Sequence, residues 1–110
     1  MTKEELRYYR SIKIEICQIE RRIKELEQKK ADCAVVGQIQ NLYRGKMKKL
    51  VDMQLRIERA IDSLSPIERE VMRLRYIDGA DWTEVAATIH YEWTQTHRIH
   101  AKALSKIKSL

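Results

Sequence analysis

The chain has 110 residues, 35% of them charged, with three glycines and one proline. That length bounds it to one domain, or one small domain with an extension, and the scarcity of breakers favours an all-α chain with long helices. A net charge of +6 and a pI near 9.4 suit a polyanionic partner. The charge is unevenly placed: residues 1–64 hold 15 Lys and Arg against 10 Asp and Glu, whereas residues 65–110 hold 7 against 6.

From about Thr2 to Asp32 the pattern is helical. Tyr9, Ile12, Ile16, Ile19, Ile23 and Leu26 recur at spacings of three and four, a heptad seam, while Leu6 and Ile14 lie off it. Thr2 and Glu5 have the spacing of a capping box. Arg10, Lys13, Glu20, Arg21, Lys24 and Glu27 occupy the opposite face. The stretch from Ala31 to Gln38, with Gly37, reads as a break: a turn, or a bend in one long helix. A second helix is predicted from about Ile39 to Ser63, where Tyr43, Leu50, Ile57 and Leu64 repeat every seven residues with Met47, Gln54 and Ile61 between them. Neither helix buries its stripe alone. Residues 1–63 are therefore expected to form an antiparallel, coiled-coil-like hairpin that also joins two copies into a homodimer, with a self-contained hairpin as the alternative. The basic run from Arg44 to Lys49 is a solvated helix face, or touches DNA flanks or an acidic surface.

Residues 64–110 read as three short helices and two turns, the outline of a helix-turn-helix unit. Ser65, Pro66 and Glu68 stand at N-cap, N1 and N3 of the first, which Asp78-Gly79 ends. Asp81 caps the second, with Glu84 three residues on and Trp82, Val85, Ala86 and Ile89 facing inward. His90 takes the turn position where glycine is common. The third helix is predicted from about Trp93 to Lys108, with Thr96, Ile99, Ala103, Leu104 and Ile107 on its inner face. Its outer face carries Trp93, Thr94, Gln95, His97, Arg98 and Lys102. A recognition helix sets its N-terminal side chains on base edges: Gln suits adenine, Arg suits guanine, and Thr suits either role. Thr83, Lys102 and Lys106 are the candidates for phosphate.

Ala101-Lys102-Ala103-Leu104-Ser105-Lys106-Ile107 resembles the tail of the recognition helix in region 4 of bacterial primary sigma factors. Over the whole chain the likeness is to small phage late transcriptional regulators of the ArpU/RinA type. It is carried by Glu68-Arg69-Glu70, Leu74-Arg75-Tyr76-Ile77-Asp78-Gly79, Trp82-Thr83-Glu84-Val85-Ala86, Arg98-Ile99-His100 and Ala103-Leu104. The resemblance implies a sigma-type helix-turn-helix over 64–110, with Trp93, Thr94, Gln95, His97 and Arg98 reading bases. The chain departs from the family at Glu92, where Ser or Thr is usual, at Trp93 and Thr94, where basic residues are usual, and at Thr96, where an apolar residue is usual. Glu92 suits the helix dipole but repels phosphate, and it can accept from a cytosine amino group.

No phosphate-cradling glycine loop, metal-ligand spacing or nucleophile motif occurs, so neither catalysis nor a cofactor nor a metal is expected. With no signal peptide and no membrane span, the chain is expected in the bacterial cytoplasm, with Cys17 and Cys33 reduced and packed as small hydrophobes. The partner expected is double-stranded DNA. Two alternatives stand beside a DNA-binding regulator: a sigma-like module that docks on RNA polymerase, and a DNA-packaging protein of the small-terminase kind.

Overall fold

The computed structural model describes residues 1–28 and 34–109. Its regular structure is helical: α1 (Lys3–Arg7), α2 (Tyr9–Gln28), α3 (Ala34–Asp62), α4 (Pro66–Met72) running into a π turn (Arg73–Ile77), α5 (Trp82–Ile89) and α6 (Trp93–Lys108). No described helix is long and apolar enough to cross a membrane. The chain divides into two compact units, Ser11–Leu55, and Met1–Arg10 together with Arg56–Leu110. This grouping cuts across the division at residue 63 drawn from the heptads.

In the unit Ser11–Leu55, α2 and α3 are the legs of a hairpin, with Glu27 and Arg44 3.8 Å apart across it. The heptad reading sorts the side chains here. Ile12 and Ile19 are buried, and Ile16, Ile23, Leu26, Tyr43, Met47 and Leu50 are half-buried. Ile14 and Leu42, off that pattern, are exposed. The predicted break lies partly outside the described residues, from Ala31 to Cys33. Gly37 is inside α3 rather than in a turn, because the helix begins three residues before it. Cys17 is exposed, contrary to its expected burial. Lys46, Lys48 and Lys49 point to solvent.

In the other unit, the helix expected to run unbroken from Thr2 is interrupted at Tyr8. The Tyr8 N–H is shared between the carbonyls of Glu4 (3.3 Å) and Glu5 (3.2 Å), a tightened turn. The Thr2 hydroxyl caps α1 by accepting from Glu5 N at 3.3 Å. This short helix buries Leu6 completely and Tyr9 nearly so. The Tyr9 hydroxyl donates to Glu58 at 2.6 Å, and Arg56 lies 3.4 Å from Glu5. Leu6 thus belongs to the same core as Ile57, Ile61, Val71, Met72, Val85 and Ile107. That core explains why the first ten residues group with the C-terminal half.

α4 starts as its sequence requires. The Glu68 carboxylate accepts from both the backbone and the hydroxyl of Ser65, and Arg69 N makes the first helical bond to Ser65 O at 2.8 Å. Its last turn widens: Asp78 N reaches Arg73 O at 2.9 Å, five residues back, so the chain carries an extra residue there. Gly79, at φ +74, ends it, as only glycine does at low cost.

Candidate nucleic-acid interface

Two short helices hold α6 in place. Asp81 caps α5 by accepting from Glu84 N at 2.8 Å. Val85 and Ala86 are buried on the side that packs against α6. His90 then adopts the left-handed conformation (φ 60, ψ 38), and Tyr91 N bonds back to Ala86 O at 3.2 Å, a Schellman-type stop. α4 also packs on α6. Thr96, Ala103 and Ile107 are fully buried, with Ile99 and Leu104 half-buried. A threonine is tolerated at position 96 because its hydroxyl donates to Glu92 O at 2.9 Å, so no polar atom is left orphaned.

The outer face of α6 presents Trp93, Thr94, Gln95, Arg98 and Lys102 to solvent, and Thr83 is exposed at the start of α5. Glu92 stands at the N-cap without a side-chain capping bond. Two sequence-predicted residues have partners within the domain instead. His97 is half-buried between the indoles of Trp93 and Trp82, with ring centroids 3.8 and 4.4 Å away. Lys106 places its ammonium 2.7 Å from Glu68 Oε1, on a carboxylate only 4% exposed. Burial alone raises the Glu68 pKa, but hydrogen bonds from Lys106 and Ser65 and the Lys106 charge prevail and hold it below 4.5. The Glu68 charge therefore stabilises the fold above that pH, a contribution lost as pH falls through its lowered folded value. Lys106→Met leaves the buried carboxylate with Ser65 alone. Because Lys106 is half in solvent, the expected cost is about 1–3 kcal/mol, below that of a fully buried pair. Urea unfolding measures it, and an unchanged midpoint refutes it.

His100 was not among the expected core residues, yet it is buried, with Nε2 2.7 Å from the Tyr76 hydroxyl. It also meets the Trp82 ring edge-on, centroids 4.5 Å apart. Burial first, then the charges of Lys3, His97 and Arg75, push its pKa down to about 4. Burial likewise raises that of Tyr76, against the lowering effect of Arg7 and Arg75. Both shifts favour neutral partners, so the bond between hydroxyl and Nε2 joins two uncharged groups, its direction set by the imidazole tautomer. The signal for His100 was present: Thr96, His100, Ala103 and Ile107 are spaced four, three and four apart, one helical face. Beside them, Arg75 donates to Ala80 O at 3.1 Å and lays its guanidinium 4.8 Å over the Trp82 ring.

Residues 60–109 match the family Sigma-70, region 4. Neither a curated protein nor a solved structure gives a match to the chain. The matched span begins within α3, so the buried Ala60, Ile61 and Leu64 belong to it along with the three helices that follow. What α4 and α5 hold out to solvent on α6 is therefore similar, over residues 60–109, to sigma-70 region 4, a family of DNA-binding helix-turn-helix domains.

Proposed function

We propose that the protein is a sequence-specific transcriptional regulator, non-enzymatic, that reads base edges with Gln95 and Arg98 on α6. The observation that carries this reading is the state of those side chains. Thr94, Gln95, Arg98 and Lys102 share the exposed face of the helix, and among the described residues none is committed to a side-chain hydrogen bond or ion pair. Gln and Arg are the side chains that pair bidentately with adenine and guanine, and each such pair gives about 1–3 kcal/mol of discrimination. Trp93 adds apolar surface for a thymine methyl, and Thr83 and Lys102 meet phosphates. His97 holds the first turn of α6 in place through its two indole neighbours.

The test is selection of bound duplexes from a random pool, followed by gel shift with the Gln95→Ala/Arg98→Ala double variant. Affinity for the selected site should fall at least about 100-fold, with non-specific binding changed only a few-fold. Equal binding of the selected site by the variant rejects the reading.

The likeness to phage late regulators supports a phage or prophage setting. Two copies linked through residues 1–63 would gain affinity from effective concentration. The seam that argued for pairing is already buried or half-buried in one chain, which leaves Tyr8, Ile14, Val35, Leu42, Met53 and Leu55 as exposed apolar surface for a second copy. The RNA-polymerase reading draws on the near-balance of charge in residues 65–110 and on Glu92 at the tip of α6. A shallow salt dependence with retained polymerase binding would favour it over DNA.

A further inference from the structure

Lys3, Arg7 and Arg10 are spaced four and three apart, close to one helical face. They form one wall of a cavity of about 330 Å³, whose other wall is Arg75, Tyr76, Gly79 and Trp82. The Arg10 guanidinium lies against Gly79, so close that a Cβ at that position would collide with it. Glycine is required here for its positive φ, and the guanidinium, at the end of a flexible side chain, settles into the space it leaves. Four cations surround the hollow, and none of its lining residues is acidic. Within the same unit Arg56, Arg73 and Lys106 each have a carboxylate partner. Lys3, Arg7, Arg10 and Arg75 make no ion pair with any described residue. Like charges gathered round one opening repel one another until an anion enters.

The place of the cavity narrows the choice of anion. Trp82 is the first residue of α5, and its ring contacts His97, which in turn contacts Trp93, the first residue of α6. Three rings in tilted contact thus connect the cavity to the start of the base-reading helix. In helix-turn-helix docking the first helix of the motif crosses the duplex backbone while the second enters the groove, so a backbone passes the beginning of α5.

We propose that Lys3, Arg7 and Arg10, together with Arg75, clamp a backbone phosphate of the bound duplex, which makes the first ten residues part of the DNA interface. The clamp rests on the DNA-binding reading above. It fixes register without carrying sequence information, as phosphate contacts do.

The test uses the full chain and a Lys3→Gln/Arg7→Gln variant, with its helical content and melting compared with the parent. The plot of log affinity against log salt should lose about 2 from its slope, near one for each cation removed. Selected and random duplexes should weaken alike, so the preferred site stays the same. If the double variant does not fold, the single Arg7→Gln, at an exposed position, should lose about 1. An unchanged slope with intact DNA binding overturns the clamp and leaves the DNA reading standing. Failure of the parent to bind any duplex overturns both. Pyrophosphate, titrated against tryptophan emission, covers the remaining case: binding by the parent, lost in the variant, without duplex binding, assigns the cavity to a free phosphate compound instead.

Discussion

Replacing Leu6 with alanine is expected to destabilise the protein by about 3–4 kcal/mol, the range for deleting a fully buried leucine side chain. Leu6 has no exposed surface, and its short helix is capped by Thr2 and ends in the tightened turn at Tyr8. The control is Ile14→Ala. Ile14 is 58% exposed, so its replacement should change stability by no more than about 0.5 kcal/mol. The two residues look alike in the sequence, both apolar and both off the seam. Urea unfolding of each variant separates them, and equal midpoints would mean that the first ten residues are not part of the core. Because Lys3, Arg7 and Arg10 flank Leu6, its loss should also weaken duplex binding at temperatures where the rest of the domain stays folded.

Acid should act through His100. Its folded pKa of about 4 lies below the ordinary 6.5, so the unfolded chain takes up the proton first. The stability that the neutral ring contributes is complete above pH 6.5, declines below it, and is gone once pH has passed the folded value. Between pH 6.5 and 4.5 the loss should reach roughly 2–3 kcal/mol, at about 1.4 kcal/mol per unit. Below pH 4.5 the Glu68 contribution begins to go as that of His100 runs out, so the decline continues. A His100→Phe/Tyr76→Phe double variant keeps two rings in the core and leaves no hydroxyl without a partner. Its stability should be flat between pH 6.5 and 4.5. A slope in the variant equal to that of the parent would place the titrating group elsewhere.

Features encoded by neighbours in the chain were legible in advance. The Ser65–Glu68 box, the Asp81 cap, the left-handed His90 and the glycine at 79 each follow from one or two local residues, and all stand where expected. The seam positions also sort by burial as their period requires. Features that depend on a distant partner were not legible. Lys106 has the composition of a phosphate ligand, and only the folded chain brings Glu68, 38 residues away, within 2.7 Å. His97 reads as a base contact until Trp82 is placed against it. The π turn has no signature in the residues it contains and shows only in the folded backbone, where Asp78 N bonds to Arg73 O. The uneven placement of charge was visible, but the partial shift of that charge onto the domain, through Lys3, Arg7 and Arg10, needed the fold.

The ring cluster around His97 has an optical consequence. The chain contains two tryptophans, and both indoles rest on that one imidazole. Light selective for indole therefore probes a single patch, at the start of the helix proposed to read DNA, and nothing of the long hairpin. A duplex arriving there would alter the colour or brightness of emission with no label attached, while events confined to residues 11–55 would pass unseen.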